Sequence, residues 1–220
     1  MTWAGSYRAT PAVQDYTSAS TYAVNKAAGT VAGDQILLYC ASGGGYTFTC
    51  PGFTSYTVVE GGQILTRTAD GTEGSTFTLT PSSSVYPVEI VQATIAGPCS
   101  IDVVGAGNTG SNTINPTAPG LTVAGANELL LWFGSAEGNT AGTPGSTVAT
   151  AMPSGFTSRV TGVTGTNNRP TTLLCDNTAV AAGATGSIAS VNATTGYWGA
   201  QMVAIKPNTV VPKSGFLAFC

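Results

Sequence analysis

Two similar stretches of sequence decide the fold: TVAGDQILLY at residues 30–39 and TVAGANELLLW at residues 122–132. Each is a turn of small residues that leads into a short apolar run. A run of this length, bounded by glycine and by aspartate or asparagine, is typical of a buried β-strand rather than of a helix. Because the motif occurs twice, we expect that the fold arose by doubling of one β unit.

The segments around these stretches also recur in the same order and predict antiparallel strands. STFTLT at residues 75–80 alternates, and we expect its Phe77 and Leu79 to point inward. PGFT at residues 51–54 is similar to PSGFT at residues 153–157. No segment has the hydrophobic period of a helix. The sequence therefore predicts an all-β fold: a two-sheet antiparallel, jelly-roll-like sandwich of 8–10 strands built from two tandem sequence-similar halves.

The length of 220 residues fits one all-β domain with a terminal arm at each end. We expect residues 1–17 to form an N-terminal arm and residues 18–206 to form a single β-sandwich domain. Within that domain, half one would span residues 18–104 and half two residues 111–206. Residues 207–220 would then be an extended C-terminal arm, because two prolines oppose regular structure there.

The two arms carry the candidates for assembly contacts. Aromatic residues stand among small and polar residues in the N-terminal arm, and the C-terminal arm ends in the apolar sequence FLAFC at residues 216–220. An exposed apolar hook of this kind indicates a surface that covers it, either on its own sandwich or on a neighbouring subunit. The assembly-interface candidates are Trp3, Tyr7, Tyr16, Phe216, Leu217 and Phe219.

The charge content argues against several classes of partner. Only 8% of the residues are charged and the net charge is −3, with seven scattered basic residues. Phosphate backbones are bound by clustered cations, so we expect no nucleic-acid partner. No apolar run approaches the length of a membrane span, so we expect no membrane insertion. The first residues do not resemble a signal peptide, which predicts a protein made in the cytoplasm.

The residue types also argue against catalysis. The sequence has no histidine, which excludes Ser-His-Asp and Cys-His catalysis and every histidine-ligated metal site within this chain. A glycoside hydrolase would need two carboxylates about 5–10 Å apart in a cleft, and no such pair stands out. We therefore expect no enzyme activity, no catalytic residue, no metal and no cofactor.

Five cysteines occur without CxxC spacing, an odd number that indicates reduced, mostly buried thiols. A bridge between Cys40 and Cys50 across one hairpin is the alternative.

Aromatic rings that stay exposed on a sandwich would suit stacking on sugars. Most aromatic residues in sandwiches lie in the core or in interfaces, so both interpretations stand at this point. The candidate glycan contacts are Tyr46, Phe48, Tyr56 and Trp198.

Four motifs in this order resemble a known domain: VAGDQILL at residues 31–38, PSGFT at 153–157, AAGATGS at 181–187 and WGAQMVAIKP at 198–207. The pattern resembles the jelly-roll domain of tail-associated and surface virion proteins of tailed bacteriophages, especially those of actinobacteria. The resemblance covers roughly residues 18–207. It brings no catalytic residues with it.

The resemblance implies a structural virion protein, either a minor tail protein at the tail tip or a capsid decoration protein. Its partners would be other copies of itself in a homo-oligomer and other phage structural proteins, and its location would be the virion. The alternative is a carbohydrate-binding module that attaches the particle to a glycan of the host cell surface.

Overall fold

The structure is a computed structural model that describes residues 5–42, 46–56, 62–83, 87–113, 115–138, 152–161, 170–191 and 196–208. These residues form eighteen β-strands and no helix, and every strand pair is antiparallel. The chain is therefore all-β, with several antiparallel sheets packed as a β-sandwich. The described part of the chain offers no helical segment that could span a bilayer.

The strands of the N-terminal part are β1 (Ala12–Tyr16), β2 (Tyr22–Asn25), β3 (Gln35–Ser42), β4 (Phe48–Thr49), β5 (Thr54–Ser55), β6 (Gln63–Thr68), β7 (Thr76–Pro81) and β8 (Val88–Ile95). The later strands are β9 (Cys99–Val104), β10 (Asn108–Thr113), β11 (Thr117–Ala118), β12 (Thr122–Val123), β13 (Glu128–Gly138), β14 (Thr157–Thr161), β15 (Thr171–Val180), β16 (Gly183–Ala184), β17 (Ile188–Ala189) and β18 (Gly196–Pro207).

Two large sheets form the centre of the molecule. The first large sheet has the order β1-β8-β3-β6-β5, and the second has the order β10-β18-β13-β15-β14, with β9 also paired to β18. A three-stranded sheet, β2-β7-β4, and two short ribbons, β11-β17 and β12-β16, complete the described strands. The longest pairing joins β13 to β18, from Leu129 opposite Ile205 to Gly138 opposite Gly196.

Three apolar cores separate four layers of strands. The first outer core lies between the first large sheet and β2-β7-β4. The central core lies between the two large sheets, and the second outer core lies between the second large sheet and the two ribbons. Both large sheets are therefore covered on both faces, which explains why their strands read as continuous apolar runs.

The two similar stretches at residues 30–39 and 122–132 supply the middle of these layers. In β3, Ile36 and Leu38 enter the first outer core, whereas Leu37 and Tyr39 enter the central core. The apolar run of the second stretch, in β13, divides in the same way between the central core and the second outer core. By contrast β7 alternates between buried and exposed residues, as predicted for residues 76–80.

The architecture differs from the predicted one in strand number and sheet number. The expectation of 8–10 strands in two sheets was wrong, because eighteen strands lie in five sheets within the described residues. Several of these strands are only two residues long, too short to leave a periodic signal in the sequence.

Pairing also moves two boundaries. Strand β1 lies inside the proposed arm of residues 1–17 but is an edge strand of the first large sheet. Strand β9 lies in the proposed half one, yet it pairs with β18 of the second large sheet.

Candidate functional site

The junction between the two large sheets contains several polar side chains that bond from one sheet to the other around the central core. In that core the rings of Tyr39 and Phe133 stack with their centroids 5.3 Å apart. The hydroxyls of Tyr39 and Ser135 lie 2.8 Å apart in a buried hydrogen bond. Because these residues come from β3 and β13, the aromatic stack and the hydrogen bond fix the two large sheets against each other.

The N-terminal segment, residues 5–11, reaches across this junction. Tyr7 forms a bridge with Ile95 of the first large sheet, and its hydroxyl donates to Asp176 Oδ2 of β15 at 2.8 Å. Arg159 Nε donates to the same oxygen at 2.9 Å, and its guanidinium lies 5.5 Å from the centroid of the Tyr7 ring. Burial, together with the charge of Asp176, raises the pKa of the Tyr7 phenol well above its ordinary value. The phenol is therefore a permanent hydrogen-bond donor.

The next residue, Arg8, binds a buried carboxylate in the first VAGD turn. Its Nε and Nη2 donate to Asp34 Oδ2 and Oδ1 at 2.8 and 2.7 Å. The backbone N–H groups of Val31 and Gly97 donate to the same carboxylate at 2.9 and 2.8 Å. Burial raises the pKa of Asp34, but these hydrogen bonds outweigh it and leave the pKa below its ordinary value. Asp34 is thus an ionised anchor for the N-terminal segment.

A second buried carboxylate, Glu89, bridges the two large sheets from β8. Its Oε1 accepts hydrogen bonds from the backbone N–H of Thr172, at 2.9 Å, and from the hydroxyl of the same residue. Its Oε2 is buried without a hydrogen-bond partner. Burial, with a smaller contribution from the neighbouring Asp15, outweighs the bonds from Thr172 and raises the pKa of Glu89 to about 7. Glu89 therefore titrates near neutral pH.

A third carboxylate, Glu128, directly follows the turn of the second stretch, TVAGANELLLW, and is the first residue of β13. Its Oε1 accepts from the N–H of Gly125 at 2.7 Å, and its Oε2 is buried without a partner. The nearby cation, Lys206, instead binds Asp102 Oδ1 at 2.9 Å. Burial raises the pKa of Glu128, and the charge of Asp102 acts in the same direction. The two related turns thus hold carboxylates with opposite titration behaviour.

The described cysteines do not resemble nucleophiles. Cys40, Cys50, Cys99 and Cys175 are buried free thiols, so the alternative of a Cys40–Cys50 bridge is not adopted. Burial raises the pKa of Cys50 and of Cys99 to about 11, and it raises the other two as well. At neutral pH these groups are therefore protonated thiols, which are poor nucleophiles and poor metal ligands. Within the described ranges, no three His, Cys, Asp or Glu side chains gather closely enough to hold a metal ion.

The assembly candidates fall into two groups. Trp3, Phe216, Leu217 and Phe219 lie outside the described residues. Tyr7 is held by Asp176 of the same chain, and Tyr16 packs against Tyr22 with ring centroids 5.2 Å apart. Both described candidates thus contact their own sandwich, and the structure does not bring them together in one patch.

The glycan candidates do not form a shared surface either. Phe48 and Trp198 are only 1% and 6% exposed, each within an outer core, so neither ring is free to stack on a sugar. Tyr46 and Tyr56 are partly buried against different cores. The assignment of Phe48 and Trp198 as glycan contacts is corrected: both are core residues, because the strands that carry them are covered by a second layer.

The sequence interpretation missed these polar contacts. Arg8, Asp34 and Glu89 were scattered charges in the sequence, and their pairings join residues 26 and 83 positions apart. One local signal was available: Glu89 and Gln92 interrupt the otherwise apolar sequence VEIVQATI of β8. Polar residues inside a buried strand indicate partners elsewhere in the fold. Comparison of the chain with protein-family models, curated proteins and solved structures finds no match.

Proposed function

We propose that this chain is a structural protein of a tailed-bacteriophage particle, either a minor tail protein or a capsid decoration protein, and that it acts through assembly. The role in the particle rests on the resemblance of the four sequence motifs, and the observation that supports the fold implied by that resemblance is the strand order of the large sheets. In each large sheet, with β9 left aside, five strands lie side by side. If these five are numbered by their order in the chain, both sheets have the same spatial order: first, fifth, second, fourth, third. This order supports a jelly-roll-like unit in each half, since wrapping of a jelly roll brings its first and last strands together.

The repeated order also supports the hypothesis that the halves arose by doubling of one unit. Two copies of that unit within the chain, packed through their large sheets, would form a rigid four-layer body. Only 8% of the residues in the whole chain are charged, so the surface of this body is poor in charge. Among the described residues only Val31 and Tyr197 are large hydrophobic residues with high exposure, at 48% and 41%. We therefore assign the contacts between subunits to the termini rather than to the faces of the body.

The test compares the oligomeric state of the full chain with that of a variant whose apolar hook is made polar, Phe216→Ser/Leu217→Ser/Phe219→Ser. Light scattering after gel filtration should show an oligomer for the full chain and a smaller species for the variant. The control, Val31→Ser/Tyr197→Ser, changes the exposed apolar residues of the body and should leave the oligomer intact. A full chain that is monomeric at high concentration, or an oligomer lost only in the control, would contradict the proposal.

A second test concerns the particle itself. An antibody against the folded chain should label the surface of purified particles of the phage whose genome encodes the chain, at the tail tip or over the capsid. Absence of the chain from such particles would reject the virion role while leaving the oligomer result in place.

Attachment to a host-surface glycan is the alternative hypothesis. With Phe48 and Trp198 in the cores, that hypothesis needs contact groups other than the four aromatic residues first considered.

A further inference from the structure

A cleft with a volume of about 370 Å³ opens at one end of the central core. Ser100 and Ile101 of β9 form the wall on the side of the second large sheet. The floor consists of four polar residues on three strands of the first large sheet: Gln35, Thr54, Thr66 and Thr68. We infer that this cleft binds a neutral saccharide, one sugar residue at a time, through the polar side chains of its floor.

The floor is polar where the strands otherwise present an apolar face. On β3, Leu37 enters the central core, and alternation places Gln35 on the same face of the sheet. On β6, Ile64 enters the central core, so Thr66 and Thr68 lie on that face as well. A polar side chain beside an apolar core costs free energy unless it is hydrogen-bonded, so these groups call for partners.

The four floor residues form one continuous patch. Gln35 lies directly opposite Thr68, and Thr54 lies directly opposite Thr66. Residues that are directly opposite in an antiparallel pair share a face, with Cβ atoms about 5 Å apart. The floor therefore presents one amide and three hydroxyl groups side by side, together with the methyl groups of the threonines.

Two of these residues are largely buried and still have an unpaired polar atom that solvent reaches. Gln35 is 2% exposed and Thr66 is 5% exposed. The hydroxyl of Thr68 donates to Gln35 Oε1 at 3.1 Å, whereas Gln35 Nε2 and Thr66 Oγ1 have no hydrogen-bond partner among the described residues. Neither atom is among the unpaired side-chain atoms that are closed to solvent. A ligand in the cleft can therefore bond to both.

The charges at the rim of the cleft indicate a neutral ligand. Among the described lining residues, Arg67 and Asp70 are charged, and Arg67 Nη2 lies 3.0 Å from Asp70 Oδ2. The same nitrogen lies 3.3 Å from Glu73 Oε1, so two carboxylates surround one cation. A phosphate or carboxylate ligand would need positive charge that this rim does not offer.

The size and the chemistry of the cleft favour a sugar over other neutral ligands. A volume of about 370 Å³ lies near the lower end of the range of about 300–1,000 Å³ that is usual for ligand pockets. A threonine hydroxyl both donates and accepts hydrogen bonds, as the hydroxyl groups of a sugar do. The threonine methyl groups and Ile101 supply apolar contacts for the C–H groups of the same ring. Such a site also supplies contact groups for the alternative hypothesis of attachment to a host-surface glycan.

The experiment titrates the isotope-labelled full chain with glucose, galactose, mannose and N-acetylglucosamine and follows the backbone amide resonances by NMR. We expect at least one of these sugars to shift the amides of residues 35, 66–68 and 100–101 in a saturable way. The variant Gln35→Leu/Thr66→Val replaces the two unpaired polar groups by apolar groups of similar shape. It should weaken the binding by about tenfold or more, because both hydrogen bonds to the sugar are lost.

Two further variants separate the site from general effects. Thr54→Leu enlarges an exposed side chain of the floor, and it should also weaken the binding; it decides the question if the double variant fails to fold. Thr78→Val removes an exposed hydroxyl of β7 outside the cleft lining, and it should bind as the wild type does. Binding that is unchanged in both floor variants, or the absence of a saturable shift with all four sugars, would overturn the inference. Neither outcome would alter the result of the oligomer test.

Discussion

The two related turns of the chain place a buried carboxylate at the start of a central strand, and the surroundings of the two carboxylates differ. Asp34 accepts four hydrogen bonds, two of them from Arg8, and its pKa lies below its ordinary value. Glu128 accepts one bond, from Gly125, and its pKa is raised. The local turn is therefore not what decides the direction in which the pKa of the carboxylate is shifted. A remote segment decides it, because only the first turn receives an arginine.

The largest expected effect tests that difference directly. Replacement Asp34→Ala should lower the free energy of unfolding by about 3–5 kcal/mol, because it removes the partner of Arg8 and the acceptor of two backbone N–H groups. Urea denaturation measures this loss. The control is Asp70→Ala, whose carboxylate is paired with Arg67 on the exposed surface and should matter far less. Equal effects of the two replacements would contradict the role of Asp34 as an anchor.

The comparison extends to Glu89, because its carboxylate on β8 of the first large sheet binds Thr172 on β15 of the second. In the unfolded chain Glu89 loses its proton near pH 4.5, whereas in the folded chain it holds the proton until about pH 7. The folded state binds more protons between these values, so this group makes stability fall as the pH rises from 4.5 to 7. The decrease amounts to about 2–3 kcal/mol, since each pKa unit corresponds to about 1.4 kcal/mol.

The variant Glu89→Gln should remove this decrease. We expect it to gain stability relative to the wild type at pH 8 and to differ little from it at pH 4, as measured by urea denaturation at both values. Asp70→Asn serves as the control, because the pKa of Asp70 is lowered and its loss should bring no such gain at high pH. A pH-independent difference for Glu89→Gln would show that the carboxyl does not titrate between those limits.

Tyr7 tests whether the N-terminal segment stabilises the second large sheet as well as the first. Replacement Tyr7→Phe keeps the ring beside Arg159 but removes the donor to Asp176, a loss of about 2 kcal/mol for a hydrogen bond to a charged group. The matched control is Tyr16→Phe, whose hydroxyl donates to the carbonyl of Ala23 at an exposed position and should cost less than about 1 kcal/mol. Identical costs would indicate that the contact with Asp176 adds nothing to the fold.

The smallest expected effect is a gain in stability, opposite in sign to the loss expected for Asp34→Ala. Replacement Glu128→Gln keeps an oxygen for the N–H of Gly125 and removes a charge that burial and Asp102 disfavour. We expect a gain of less than about 1 kcal/mol at pH 8 and no gain at low pH, where Glu128 is already protonated. A loss of stability at pH 8 would mean that the two turns depend on their carboxylates in the same way.

Residue patterns predicted the strands of the fold better than they predicted its layers. The apolar run of β3 and the alternation of β7 are local signals, and both strands formed where predicted. Trp198 shows the limit: β18 is buried on both faces, so alternation could not reveal which side chains were covered. The layer that covers Trp198 is made of two-residue strands, which are too short to produce a periodic pattern in the sequence.

The polar contacts were beyond prediction for a different reason. The bond between Tyr7 and Asp176 joins residues 169 positions apart, and nothing near either residue marks the other. Gln92 and Thr94 are visible as polar residues in an apolar strand, but their burial becomes apparent only in the folded chain. Such sites depend on tertiary contacts that a single sequence does not reveal.

The contact between Tyr7 and Asp176 has a consequence for synthesis of the chain on the ribosome. Translation adds about 5–20 residues per second, so Tyr7 emerges roughly 8–34 seconds before the residue that receives its hydrogen bond. During that interval the nascent chain holds an aromatic residue whose final acceptor does not yet exist. The segment can join the first large sheet early, but its attachment to the second large sheet is among the late events of biosynthesis.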